Sequence, residues 1–251
     1  MTIPVLFCID GNYWQHLGVS IASLFESNPN TTFRIFLVSA SEMDLDQIAK
    51  VRSVIPLGQG SLETIVYREA AKYEHLPTHS HLTFAMYLRL FMTEYLDPTL
   101  DKVLYLDSDT IICSEIDELW SIPLCDAYIG AAPEPYDERQ RAPLHFSSTD
   151  LYVNSGVMLV NLTKWRNEQA LVKLLSFAQA NQHALVFSPD QDLINCVFRG
   201  HIINIGYRWN WQALFPRFTP GELGMNENTF ALLKHSPPAG SPIRPLNPGS
   251  P

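Results

Sequence analysis

Short apolar runs alternate with helix-patterned segments from the first residues onward, and this alternation constrains the fold more than any other feature of the chain. PVLFCI (4–9) reads as a buried strand, followed by a helical apolar face built from Val19, Ile21, Ala22, Leu24 and Phe25. FRIFLVSA (33–40) reads as a second strand, MDLDQIAKVRSVI (43–55) as a helix and LETIVYR (62–68) as a third strand. Continuous apolar strands separated by helices predict βαβ units and a mostly parallel α/β sheet covered on both faces. FAMYLRLFMTEYL (84–96) predicts a long amphipathic helix stopped at Asp97–Pro98. KVLYLDSDTII (102–112) is the clearest strand, and it runs straight into carboxylates.

From Ala131 to Asp150 the sequence turns polar and proline-containing, which predicts a long surface excursion, and loops of that length are uncommon unless functional. VMLVN then reads as a strand, LTKWRNEQALVKLLSFAQAN as one helix, and residues 190–198 as a helix opening on Pro189. With no repeat and no linker, the expectation is one catalytic domain over 1–235 and a proline-rich tail or closing loop over 236–251, where six of the 18 prolines fall in the last fifteen residues.

A net charge of −9 argues against general nucleic-acid binding, because such a surface repels phosphate backbones. A polyphosphate ligand would need a cation beside it. Four cysteines without CxxC spacing argue against structural zinc and a disulfide framework. The opening MTIPVLFCIDG lacks a basic n-region, and no stretch approaches the ~18 to 20 apolar residues of a membrane span. The expectation is a cytoplasmic protein with at most peripheral membrane association.

Three D-x-D triplets occur where chance predicts about 0.7 in a chain of this Asp content. Asp44-Leu45-Asp46 opens a predicted helix, where carboxylates cap the N-terminus. Asp107-Ser108-Asp109 instead ends an apolar strand, where a desolvated carboxylate pair needs a counterion. Strand carboxyl ends are also where open α/β sheets bind ligands. Two hard oxygens spaced this way can grip Mg²⁺ or Mn²⁺ and leave positions for diphosphate oxygens. On spacing alone, a metal site and a simple Asp-capped turn stand level.

FCIDGNY (7–13), KVLYLDSDTII, LYVNSGVMLVNLTKW (151–165) and SPDQDLIN (188–195), in that order, resemble glycosyltransferase family 8. That family includes lipopolysaccharide α-galactosyl- and α-glucosyltransferases and glycogenin. The resemblance runs from about residue 4 to 212. It implies a GT-A, Rossmann-like nucleotide-sugar fold, a UDP-sugar donor, a glycan or lipid-linked saccharide acceptor, and Mn²⁺, with Mg²⁺ as the alternative ion. By the same resemblance Asp107 and Asp109, with His235, hold the metal, and Ser108 lies within the donor site. Asp10, Asn12 and Tyr13 match the uridine pocket; read alone, they suit a strand-to-helix turn with Asp10 as cap.

Arg89 matches an arginine near the diphosphate, and a salt bridge to a sheet carboxylate is its structural alternative. Asn154, Ser155 and Gly156, placed just before the VMLVN strand, are implied to line the donor sugar. Glu134 falls where relatives often carry Asp, as a contact to acceptor or sugar. Asp190 is implied to hold sugar hydroxyls and Gln191 to lie near the anomeric carbon. The family retains anomeric configuration, and a double displacement needs a carboxylate nucleophile. A glutamine amide is a poor nucleophile, which favours front-face transfer, with Asp192 as the covalent candidate.

The chain departs from the family after FALLKH, which reads as an apolar strand carrying His235. The family continues H-x-x-G-x-x-K-P-W; here Pro238 replaces the glycine and the lysine is missing, so that only Gly240 and Arg244 of a longer loop could substitute. A nucleotide-sugar-binding protein with little turnover is therefore the alternative to a transferase. A nucleotidyltransferase would carry a glycine-rich loop, whereas FCIDGNYW has one glycine, and a glycoside hydrolase would not need the N-terminal motif. Residues 131–150 and the aromatic YRWNWQALF segment are the expected acceptor walls, since sugars pack on aromatic rings.

Overall fold

The computed structural model describes all residues except 12, 74, 75, 77–83, 136, 186, 213, 214, 236–240 and 243–251, and gives backbone alone for 84, 235, 241 and 242. The chain opens β1 (Thr2–Cys8), α1 (Trp14–Glu26), β2 (Thr32–Ser39), α2 (Leu45–Ser53), β3 (Gly60–Val66). All three strands pair in parallel, with β2 in the middle. β1 and β2 alternate between two buried layers. Leu6, Cys8, Phe36 and Val38 face one core cluster, while Val5, Phe7, Ile35 and Leu37 face the other. Burial on both faces is why these strands read as unbroken apolar runs.

On α1 the buried face is Leu17, Ser20, Ile21, Leu24 and Phe25, while Val19 points outward. Its serines work on the neighbouring chain: Ser23 Oγ accepts from Ile112 N (2.9 Å), Ser27 Oγ donates to Ile112 O (2.8 Å), and Ser20 Oγ lies 3.3 Å from Thr110 Oγ1. Asp44 caps α2 by accepting from Asp46 N and Gln47 N, so the first D-x-D is structural.

The expected long helix at 84–96 is instead a 3₁₀ helix, Phe84–Phe91, followed by one α turn, α3 (Met92–Tyr95). Within it the Arg89 side chain folds back, its Nε donating to the carbonyl three residues earlier, Met86 O, at 3.0 Å. β4 (Lys102–Leu106) pairs in parallel with β1; β5 (Thr110–Ile111), α4 (Asp117–Ser121), β6 (Ile129–Pro133), α5 (Glu138–Arg141) and β7 (Val153–Asn161) follow. The 131–150 excursion is thus shorter and more ordered than expected: β6 claims its start, α5 crosses it, and Arg141, Leu144 and Phe146 are buried.

The single helix expected after β7 is broken into α6 (Leu162–Asn167) and α7 (Ala170–Ala180) at Gln169, whose φ of 52° is left-handed. α8 (Pro189–Val197), β8 (Ile202–Asn204), α9 (Glu227–His235) and β9 (Ser241–Pro242) complete the chain. The main sheet runs β3-β2-β1-β4-β7-β6-β8, with β7 alone reversed against its neighbours. FALLKH is helix rather than strand: Phe230 and Leu233, three apart, bury against Trp211 and Phe215, while Leu232 is exposed. β9 pairs antiparallel with β5, which ties the start of the tail to the strand that follows the second D-x-D. Among the described residues no helix is long and apolar enough to cross a membrane, and all four cysteines lack disulfide partners.

Candidate functional site

Asp107, Ser108 and Asp109 form the turn between β4 and β5, at the carboxyl end of a central strand. The turn is pinned from both sides. Asp107 N donates to Gly156 O on the reversed strand β7 (2.8 Å), and Asp107 O accepts from Thr110 N (3.1 Å) and Thr110 Oγ1 (2.8 Å). Asp107 Oδ1 accepts from Tyr105 Oη (2.7 Å) and lies 2.9 Å from Arg89 Nη2. Its other oxygen lies 2.8 Å from where a Cβ on Gly156 would stand, so any larger residue there would displace the carboxylate. Burial, reinforced by the Asp107 charge, pushes Asp109 up to about 6, and Arg89 offsets this only in part. A pair of hard carboxylates on one short turn suits a divalent cation, and the donor set therefore fits Mn²⁺ or Mg²⁺. Among the described residues no three Asp, Glu, His or Cys side chains form a ligand cluster. His235 ends α9, with its side chain outside the described atoms.

Arg89 is the hub of the site. Its side chain is only 10% exposed, and its guanidinium lies 4.6 Å above the Tyr105 ring. Besides Asp107, it meets Asp190 Oδ2 at 3.2 Å through Nε, and Nη1 donates to Ser155 O (3.0 Å) and Ser155 Oγ (3.2 Å). Burial works against the charge, but Asp107, Tyr105 and Asp190 outweigh it and hold the arginine pKa above its ordinary value. Burial also raises Asp190, with Arg89 the leading opposing influence. The salt-bridge alternative is therefore real, and it binds three chain segments together.

Asn154, Ser155 and Gly156 lie inside β7 rather than before it, in a stretch where Ser155 N and O and Gly156 N bond to side chains and Gly156 O accepts from Asp107 N. α8 is brought against them by Asn195, which is fully buried and clasps Val153 through both N–H (2.7 Å) and C=O (2.8 Å). Seven successive residues of α8, Pro189 to Asn195, are buried, including the polar ones. Asp190 makes no cap; Ser188 occupies that position without a side-chain bond. Gln191 Oε1 accepts from Ser155 N (3.0 Å), and Gln191 Nε2 donates to Glu134 Oε2 (2.9 Å). Asp192 is 1% exposed: it accepts from the Tyr152 hydroxyl, from Gln140 Nε2 (3.2 Å) and from Ser188 N (3.4 Å). Burial pushes Asp192 up to about 6.

Asp10 and Tyr13 lie at the turn after β1, and α1 starts without a side-chain cap, so Asp10 is not the cap. Tyr13 N donates to Asp10 O (3.4 Å). Burial raises the Tyr13 hydroxyl, and Asp109, Asp10 and Asp107 add to it, which places this turn within electrostatic reach of the carboxylate pair. Asn12 lies outside the described residues, as do Pro238, Gly240 and Arg244. Trp209 and Trp211 pack into the core instead of offering ring faces; their segment contributes Asn210, whose Nδ2 donates to Asn154 Oδ1 (2.7 Å).

Sequence reasoning missed Tyr105, Tyr152, Asn195 and Asn210. Tyr105 had a signal: two residues before Asp107 on a strand, it must share that residue's face. Tyr152 and Asn210 meet their partners across 40 and 56 residues, and nothing local announces them.

The glycosyl transferase family 8 model matches residues 4–229. The chain belongs to glycosyl transferase family 8. Among its relatives in the family, a lipopolysaccharide 1,2-glucosyltransferase of Escherichia coli (strain K12) is 29% identical over 83% of this chain, and general stress protein A of Bacillus subtilis (strain 168) is 22% identical over 83%. The chain spans 62% of the length of the first and 73% of the second. A crystal structure of the galactosyltransferase LgtC, in complex with donor and acceptor sugar analogs, superposes with a TM-score of 0.81 at 23% identity, covering 97% of this chain and 88% of that one. That likeness gives the fold, a GT-A type α/β architecture with a mostly parallel central sheet.

Proposed function

We propose that this family 8 chain is a retaining hexosyltransferase that moves galactose or glucose from a UDP-sugar to a glycan or lipid-linked saccharide acceptor. The observation that carries the reading is the convergence of the Asp107–Asp109 turn, Arg89, the Asn154–Gly156 stretch and Asp190–Gln191 at one end of the sheet. Asp107 and Asp109, completed by His235, would hold Mn²⁺ or Mg²⁺, which when bound supplies positive charge to the diphosphate leaving group. Asp10, Asn12 and Tyr13 would receive the uracil, and Ser108 would lie beside the diphosphate.

Arg89 keeps Asp107 and Asp190 in fixed relation, so the leaving-group side and the sugar side share one rigid support. Asp190 would accept from sugar hydroxyls, and Asn154 would line the sugar beside it. Gln191 has an amide carbonyl and no carboxylate, which suits stabilisation of oxocarbenium-like charge better than covalent attack and favours front-face transfer. Asp192, committed to Tyr152, Gln140 and Ser188, positions α8 in this reading. The lipopolysaccharide named for the Escherichia coli relative supports a bacterial surface glycan as the acceptor.

The test is a donor screen with UDP-galactose and UDP-glucose, with Mn²⁺ or Mg²⁺, reading UDP release. Asp109→Ala should abolish metal-dependent turnover and Gln191→Ala should impair it without abolishing it; a fully active Asp109→Ala enzyme would sink the metal assignment. Pro238 in place of the family's glycine favours the second reading, a nucleotide-sugar-binding protein. That reading predicts a thermal shift with UDP and Mn²⁺ but no UDP release with any acceptor.

A further inference from the structure

Two carboxamides in the site share one carboxylate oxygen. Glu134 Oε2, just past the end of β6, accepts from Gln191 Nε2 at 2.9 Å and from Asn154 Nδ2 at 3.0 Å. The carbonyl ends of both amides are turned toward β7: Gln191 Oε1 accepts from Ser155 N (3.0 Å), and Asn154 Oδ1 accepts from Gly156 N (2.8 Å) and Asn210 Nδ2 (2.7 Å). Glu134 itself is held by its backbone. Its N–H donates to Tyr152 O (2.9 Å), and its carbonyl accepts from the buried Arg141, which also donates to Pro135 O (2.8 Å) and lies 4.6 Å above the Tyr152 ring.

An amide can rotate by half a turn and exchange its oxygen for its nitrogen at almost no steric cost. Here the flip is forbidden twice. A flipped Gln191 would set its oxygen against the Glu134 carboxylate and its NH₂ against the Ser155 N–H. A carboxylate offers no donor, so it dictates the orientation where a neutral amide or hydroxyl would not. Donation to a full negative charge also makes the carbonyl at the far end of each amide more electron-rich.

We propose that Glu134 is a positioning residue for glycosyl transfer: its carboxylate fixes which way the Gln191 and Asn154 carboxamides face and raises the electron density on the Gln191 carbonyl. The inference rests on the transferase reading for its kinetic part and on hydrogen-bond geometry alone for its structural part. On kcat Glu134 acts through the Gln191 carbonyl, so its effect on kcat should vanish when that side chain is gone, whereas its hold on Asn154 remains.

The kinetic test is a double-mutant cycle on the full chain with whichever UDP-sugar the wild type turns over. Glu134→Gln, which keeps shape and removes the charge, should lower kcat by about 10- to 100-fold with donor KM within about threefold. In the Gln191→Ala background the same change should alter kcat by less than about twofold. An unchanged kcat in Glu134→Gln, a loss confined to acceptor KM, or an equal loss in the Gln191→Ala background would each overturn the proposal. The structural test needs no turnover and no folded variant at position 134. In ¹H–¹⁵N spectra of the wild type, the NH₂ pairs assigned by Gln191→Ala and Asn154→Ala should lie away from the free-amide region and exchange slowly. Free-amide positions would refute the orientation, whereas ordered amides without UDP release would refute the transferase reading alone.

Discussion

Replacing Arg89 with methionine keeps most of the side-chain volume and removes one charge from the most connected point of the site. The structure says what is left behind. Asp190, with its side chain 8% exposed, loses its ion pair at 3.2 Å, Asp107 loses one at 2.9 Å, and the carbonyls of Met86 and Ser155 each lose a donor. Breaking a buried pair by removing one partner costs about 3 to 5 kcal/mol, which for a domain of this size lowers Tm by about 6 to 20 °C. The deficit should depend on pH with a definite sign. Burial already raises Asp190, and Arg89 is the leading influence holding it down. Without Arg89 the folded-state pKa climbs further above the unfolded value of ~3.9, so ionised Asp190 opposes folding. The deficit is therefore largest near neutral pH and shrinks as the pH falls toward the carboxylate range. Urea unfolding of wild type and Arg89→Met at pH 7.5 and pH 5 measures both quantities. A deficit below about 1 kcal/mol, or one independent of pH, would refute the hub role, because either result means that Asp190 is not an uncompensated buried charge.

Gly156→Ala should cost about 1 to 3 kcal/mol, since the new Cβ would stand 2.8 Å from Asp107 Oδ2 and 2.9 Å from Asn154 Oδ1, on side chains held by Tyr105 and Arg89 through Asp107 Oδ1 and by Asn210. The same variant should weaken UDP binding in the presence of Mn²⁺ by calorimetry, and unchanged affinity would separate Gly156 from the carboxylate turn. Asp192, raised to about 6 by burial, should make wild-type stability fall as pH rises from about 4 to 6, and Asp192→Asn should flatten that slope in chemical denaturation curves.

Much of the sheet was legible because its physics is local. Strands β1 and β2 are buried on both faces, so each reads as an apolar run, and the helices that follow them carry their own periodicity. The Asp107–Asp109 turn was legible because carboxylates that end such a run are costly without a counterion. Other elements depend on what packs against them. FALLKH is too short for its period to separate a strand from a helix, and contact with Trp211 and Phe215 decided for α9. The residues of 84–91 are apolar enough for an α-helix, and hydrophobic pattern alone does not separate that from the tighter 3₁₀ winding they adopt.

By itself, the sequence determined the α/β class, the position of the carboxylate pair at a strand end and, through four ordered motifs, the family. Only the tertiary structure decided that β7 runs against its neighbours, since a strand buried on both faces looks alike in either direction. That reversal brings Gly156 beside Asp107 and lines Asn154 and Ser155 along α8. The tertiary structure also decided what the polar residues do to one another. Glu134, Asn154, Gln191 and Asn210 are scattered over 77 positions of chain, 134 to 210, and their amides acquire an orientation only when one carboxylate reaches two of them. Hydrophobic periodicity is a property of neighbours in sequence. The direction of a hydrogen bond between distant side chains is a property of the folded chain alone.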